Sequence, residues 1–414
     1  MKEKILSNLD NPGQLEKLYR DDRTNFKRAF NFIYPDIREN TTAQIWNERL
    51  NFESDDISWG TSRELVFVIV ACCIAGVIAK IPEITGIKPE YFYPRNVAFI
   101  FFPLLTAYFA WKQKLPIKTH LLISFAILVS VIYINLLPDN EKSDTLILAC
   151  IHLPLFIWAV LGFTFAGGNL KNYPARLDFL RYNGDLVVMT TIILIAGALL
   201  TGITMGLFEL IGLGTQEFFV EYVGMCGVAA SPIIGTYLVQ TNPHLVNKVS
   251  PVIAKVFTPL VLVTLIIYLI AVIYTGKDPY NDREFLLIFN LLLIGVMAII
   301  LFSIAETSKN SGSKVGFIML FGLAIVTIIV NGIALSAILF RISEWGITPN
   351  RLAVLGGNLL ILTNLLLVTY RLFRTLKDRN EIEKVENSIT SYLPVYVVWT
   401  VVVTFFFPVI FGFK

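Results

Sequence analysis

Charge is scarce in this 414-residue chain: Asp, Glu, Lys and Arg make up 16% of it, and the net charge is only +3. A nucleic-acid partner needs a concentrated basic patch, whereas here the basic residues fall between apolar runs, so no polyanion partner is indicated. Histidine is rarer still; His120, His152 and His244 lie on different segments, which excludes an HExxH metal pair. The four cysteines, Cys72, Cys73, Cys150 and Cys226, lack the CxxC spacing of a metal or redox site and read as small buried fillers of apolar segments. No GxxxxGK[ST] phosphate loop occurs, since Ser311-Gly312-Ser313-Lys314 lacks the upstream spacing, and there is no GxSxG elbow. ATP hydrolysis is not indicated, and neither a cofactor nor a metal is expected.

What the chain has in abundance is apolar surface. Hydrophobic residues form 55% of it and its mean hydropathy is positive, so water is not the main solvent of the folded chain. Eleven mostly apolar runs, near residues 65–81, 96–111, 117–137, 145–166, 186–213, 218–240, 254–275, 284–305, 315–340, 351–374 and 391–412, each approach the ~20 residues with which a helix crosses about 30 Å of hydrocarbon. Lipid offers no partner to a backbone N–H or C=O, so such runs form helices. The expected fold is all-α: a polytopic transmembrane helical bundle of about 11 helices over residues 63–414, preceded by a small helical head over residues 1–62.

An odd number of spans sets the chain ends on opposite sides. Loops on the amino-terminal side carry fifteen Lys and Arg, against nine on the other side with Lys414 included. The positive-inside bias places the amino terminus in the cytoplasm and the carboxyl terminus in the periplasm. The head has no apolar core like that of a cleavable signal peptide, so the first span is expected to act as the signal. Within the head, Asn11 and Pro12 mark a helix start, and Leu15, Leu18, Tyr19, Phe26, Phe30 and Ile33 recur near helical spacing. A second short helix from Thr41 or Thr42 would bury Ile45, Trp46 and Leu50. Two amphipathic helices do not close both stripes alone, so residues 1–60 are expected to pack on cytoplasmic loops as well, to dock a protein partner, or to lie in the membrane interface.

Polar groups inside apolar spans are costly and point to cavities or to one another. With this topology Glu209, Glu217 and Glu221 gather at the outer surface, around the turn between the fifth and sixth spans. His152 and Asn358 lie about 10 Å from the outer ends of the fourth and tenth spans, with Asn290 and Asn331 in the outer halves of the eighth and ninth. An interhelical hydrogen bond is the structural explanation of each Asn, and packing that of His152. Gly197, Gly202, Gly206, Gly212 and Gly214 in the fifth span and Gly224, Gly227, Ala229, Ala230 and Gly235 in the sixth predict that these helices pack closely, with a GxxxG pair at 202 and 206.

The segment from Arg341 to Arg351, Arg-Ile-Ser-Glu-Trp-Gly-Ile-Thr-Pro-Asn-Arg, joins the ninth and tenth spans. Gly346 permits a turn, Thr348 can cap the next helix, and Pro349 suits its first turn. Arg341, Glu344 and Arg351 exceed what a cap needs. Beside Glu209, Glu217 and Glu221 they read either as an interhelical salt-bridge lock or as a site for an anionic head group or small solute. The Arg-Ile-x-x-aromatic-Gly-x-Thr-Pro-x-Arg pattern, followed by the Leu- and Asn-rich stretch Leu359 to Leu367, resembles the signature of a group of bacterial multipass inner-membrane proteins known only as a domain of unknown function. The head, with Leu15-Glu16-Lys17-Leu18-Tyr19-Arg20 and Ile45-Trp46-Asn47-Glu48-Arg49-Leu50, is similar to versions from Bacteroidetes. The resemblance covers residues 145–375, with Trp345 where Tyr is commoner, and implies a bacterial inner membrane but no activity and no catalytic residues.

Three readings follow. The first is a transporter or permease with a polar cavity open to the periplasmic side, its binding set drawn from Glu209, Glu217, Glu221, Arg341, Glu344, Arg351, Asn358, His152 and Asn331. The alternative is a non-catalytic scaffold or sensor that docks a cytoplasmic partner through the head. A lipid-modifying enzyme, with His152 and Glu209 as its candidate groups, comes third. Membrane lipids are partners in all three.

Overall fold

The computed structural model describes residues 1–51, 59–140, 142–210, 216–243, 245, 258–267, 269–270, 274, 280, 283–309, 314–377 and 382–414. His244 and nine of the 22 residues of the expected run 254–275 lie outside the described residues. All regular elements among the described residues are helical. The chain divides into two compact units, Met1–Ser58 and Trp59–Lys414.

In the first unit, Asn11 Oδ1 accepts the Gln14 backbone N–H at 3.3 Å and Pro12 takes the first helical position, which starts α2 (Pro12–Asp21). The stripe expected to be continuous from Leu15 to Ile33 is broken at Asp22, and α3 (Arg23–Ile33) follows. A short α1 (Lys2–Leu6) and α4 (Thr41–Asn51) close a core of Ile5, Leu15, Phe26, Ala29, Phe30, Ile33, Ala43, Trp46 and Leu50. Ile45, expected inside, is exposed, because the buried stripe of α4 runs Ala43, Trp46, Leu50 and Ile45 stands about 100° away from Trp46.

In the second unit, eight described stretches are long and apolar enough to cross a membrane: Ser62–Ala79, Ile117–Leu136, Asp144–Phe165, Tyr173–Gly202, Gln216–Thr241, Val315–Trp345, Pro349–Leu376 and Lys384–Ile410. They belong to α5 (Ser62–Ala79), α8 (Ile117–Leu136), α9 (Asp144–Phe165), α10 (Tyr173–Leu210), α11 (Gln216–Phe218) with α12 (Met225–Thr241), α15 (Lys314–Trp345), α16 (Pro349–Lys377), and α17 (Ile382–Val401) with α18 (Phe407–Ile410). A short α6 (Ile81–Thr85) precedes α7 (Pro89–Lys112), which has the length to span but carries Glu90, Arg95, Asn96 and Lys112 near its ends. Shorter apolar helices, α13 (Thr258–Ile267) and Phe289–Ala305 within α14 (Arg283–Lys309), fall on the remaining two runs.

The outward surface argues for lipid as strongly as the lengths do. On α8, Leu121, Phe125, Leu128, Ile132 and Leu136 are exposed in a row of i, i+3 and i+4 spacing, and Val66, Val70, Ile74 and Val77 do the same on α5, opposite the buried Val68, Ala71, Ala75 and Ala79. Each exposed aliphatic side chain would cost ~1.5–3 kcal/mol in water relative to burial, a cost that hydrocarbon removes.

Helices α5, α7, α10 and α12 share one apolar core; α14, α15, α16 and α17 share another, which Leu177 and Leu180 of α10 join. α10 and α12 do pack together. Gly202, like Gly197, has nothing within 4 Å of an added Cβ, whereas Gly235 of α12 abuts Leu186 and Thr190 of α10. The reading of all four cysteines as buried is also corrected: Cys73 is exposed on the apolar surface, while Cys226 packs against Gly76. Finally, α10 begins at Tyr173, well before the run at 186, so Arg176 and Arg181, expected in a loop, stand on its first turns and bond the carbonyls of Thr390 and Ala305, each at 2.8 Å.

Candidate functional site

Helices α14, α15 and α16 carry one asparagine each into a common seam. Asn358 Nδ2 donates to Asn290 Oδ1 at 2.8 Å, and Asn331 Nδ2 donates to the Asn358 carbonyl at 3.2 Å. Asn331 is 0% exposed, and among the described residues its Oδ1 has no hydrogen-bond partner. Exchanging the amide nitrogen and oxygen would set two oxygens against each other at Asn358, so the donor faces that carbonyl and the acceptor is left over. The surrounding core holds Leu293, Val330, Ala334 and Ile361. At 1.5 Å per residue the seam lies about 21 Å along α15 from Trp345 and about 14 Å along α16 from Pro349.

The turn at that end of the two helices forms as its spacing requires. Gly346 adopts φ +76°, in the left-handed region, and the Arg351 N–H donates to Thr348 Oγ1 at 3.3 Å, capping α16 behind Pro349. Arg351 Nη1 donates to the carbonyls of Trp345 at 2.8 Å and Gly346 at 2.7 Å, so this side chain clasps its own turn. Arg341 Nε donates to the Tyr280 carbonyl at 3.0 Å. The Trp345 ring is within cation–π reach of both guanidiniums, 5.4 Å from that of Arg341 and 5.7 Å from that of Arg351.

Glu217, Glu221 and Glu344 are exposed. Glu221 acts electrostatically on Lys80, whose ammonium sits 4.1 Å from the Tyr222 ring and pairs with Glu83. Glu209 belongs to α10, and its side chain is outside the described set. His152 Nδ1 shares a 2.9 Å hydrogen bond with the Leu148 carbonyl of its own helix. The structure therefore brings together Asn290, Asn331 and Asn358, and separately Arg341 and Arg351 around Trp345.

Two further polar clusters escaped the sequence reading. Asn96 of α7 and Asn135 of α8 exchange amide hydrogen bonds at 3.0 and 2.9 Å. Beside them Arg95, 4% exposed, lies 4.0 Å from the Tyr91 ring and reaches Asp139 at 3.3 Å. In the second cluster Tyr108 donates to Glu64, and Lys112 Nζ lies 3.4 Å from the same carboxylate, tying α7 to α5. Asn96 and Asn135 sit at the ends of apolar runs, where the argument used for Asn331 would have found them. Glu64 precedes its run, and nothing in its spacing announces Tyr108. Among the described residues, no group of three or more His, Cys, Asp or Glu is placed to hold a metal ion.

No protein-family model, curated protein or solved structure matches the chain. The class therefore rests on length, apolarity and the lipid-facing rows: this is an integral membrane protein of the multipass helical kind.

Proposed function

We propose that the second unit is a permease of a bacterial inner membrane, passing a small polar solute along the seam of α14, α15 and α16. The supporting observation is the fully buried, unpartnered Asn331 Oδ1. A buried acceptor without a donor costs about 1–3 kcal/mol, which a packing position filled by Leu would avoid. Asn290 Oδ1 and the Asn358 carbonyl lie in the same network, so a solute bearing N–H or O–H donors meets several amide oxygens there. Arg341 and Arg351 stand at the end of the helices nearer the seam, which this reading makes the periplasmic mouth, with the amino terminus in the cytoplasm. Glu209, Glu217, Glu221 and His152 are not needed by this reading.

The test is uptake. Purified protein in liposomes is offered a mixture of polar metabolites, and the lumen is analysed by mass spectrometry for wild type, Asn331→Leu and protein-free vesicles. A solute should accumulate with wild type and fall at least about tenfold with Asn331→Leu, while that variant unfolds at the same or a higher temperature. Equal uptake by the two proteins, or none by either, would sink the permease.

A different observation favours a scaffold role for the first unit. It closes its own core yet leaves Leu6, Phe32 and Ile45 exposed. Deleting residues 1–58 should then remove a protein partner from pull-downs while leaving uptake intact; an unchanged set of partners would end that reading.

A further inference from the structure

The turn between α15 and α16 concentrates cations where membrane head groups lie. It joins two stretches apolar enough to span, so Trp345, half exposed, and Ile347, 64% exposed, stand at the level where aromatic belts meet the interface. Leu339 and Phe340, one turn deeper, are also exposed, and present an apolar surface continuous with the hydrocarbon. Two guanidiniums lie over one indole, and cation–π attraction accounts for their approach to the ring.

Arg351 is the telling residue. Its Nη1 hydrogens go to neutral carbonyls, which leave its charge uncompensated. Among the described residues it enters no salt bridge, and its Nε–H and Nη2–H groups meet no protein acceptor. Glu344, three residues beyond Arg341, is exposed and forms no ion pair among the described residues. A guanidinium presenting two adjacent N–H groups from a rigid turn matches the oxygens of a phosphate.

We propose that this turn binds the phosphate of an anionic phospholipid. The phosphodiester oxygens accept from Nε–H and Nη2–H of Arg351, Arg341 adds positive charge, and the acyl chains lie along Leu339, Phe340 and Ile347. The inference stands apart from the permease reading, because a lipid held at the turn requires no transport.

Full-length protein, stripped of lipid in a neutral detergent, is titrated with phosphatidylglycerol or with phosphatidylcholine, and bound lipid is counted by native mass spectrometry. Wild type should retain phosphatidylglycerol about tenfold better than phosphatidylcholine, Arg351→Gln should lose that preference, and Arg351→Lys should keep part of it. Because Arg351 also clasps the turn, Arg341→Gln, which leaves the clasp alone, provides a second reading and should weaken the preference severalfold. The thermal midpoint should rise with phosphatidylglycerol and not with inorganic phosphate at equal concentration. The proposal is overturned by equal retention of the two lipids by wild type, by a wild-type preference in both Gln variants, or by inorganic phosphate stabilising as well as the lipid does.

Discussion

At the scale of single residues, space decides which glycines matter. A Cβ on Gly356 would sit 2.0 Å from the Trp399 ring, whereas one on Gly197 meets nothing within 4 Å. Gly356→Ala should therefore lower stability by about 1–3 kcal/mol, read as a drop in Tm of the purified protein. Gly197→Ala should leave it unchanged or raise it by up to about 1 kcal/mol. Equal effects at the two positions would contradict the packing described. Asn358→Ala removes the donor to Asn290 Oδ1 and should cost roughly 0.6–1.7 kcal/mol by the same measurement. The asparagines were legible in the sequence because an amide in hydrocarbon is conspicuous wherever it falls. The close-packed glycines were not: spacing is blind to what lies opposite, and the ring that fills the space at Gly356 comes from another helix. For the same reason the arginine pair was visible at Arg341 and Arg351, while the effect of Glu221 on Lys80 was not.

At the scale of elements, ends carry the interactions that lock helices in place. Ser143 Oγ accepts the Leu146 N–H at 3.2 Å and donates to the Phe413 carbonyl at 3.1 Å, and the Thr145 N–H reaches the Lys414 carbonyl at 3.0 Å. Ser143→Ala should cost about 1 kcal/mol of stability, and hydrogen exchange of the last residues should quicken; unchanged exchange there would show that the cap does not tether the carboxyl end. In the first unit, Glu16 joins α2 to α4. The hydrogen bond from Arg20 at 2.7 Å is the main cause that holds its carboxyl below the usual range, partial desolvation opposes it, and Arg49 at 2.8 Å from the other oxygen adds to the lowering. A carboxylate depressed on folding contributes fully above the unfolded value near 4.3, and that contribution is lost as pH falls through the lower folded value. Exchange protection of residues 12–50, followed in the whole protein from about pH 6 to 3, should decline over this window, and Glu16→Gln should flatten the decline. The start of α2 could be read from Asn11 and Pro12. The start of α10 could not, because Arg176, Asp178, Arg181, Asn183 and Asp185 hide a helix that begins ahead of the apolar run.

For the whole molecule, the hydrophobic effect wrote the membrane class plainly, since exposed rows such as Leu121 to Leu136 have no other solvent. The pairing of helices was not written, because lipid-facing and helix-facing positions are both apolar, and only glycines, polar atoms and ring shapes distinguish them. Reporter fusions at the two chain ends should appear on opposite sides of the membrane, with the amino terminus in the cytoplasm; a shared compartment would overturn the threading. The central claim is that the seam around Asn331 is reached by a solute from the same side as the turn at Gly346. It is tested most directly by Asn331→Cys in a chain whose four cysteines are replaced, treated with a small, charged, membrane-impermeant thiol reagent, with Ile347→Cys as the control that marks that side. Both positions should react from that side, residue 331 more slowly and protectably by the transported solute. Reaction at 347 with none at 331 from either side would contradict it.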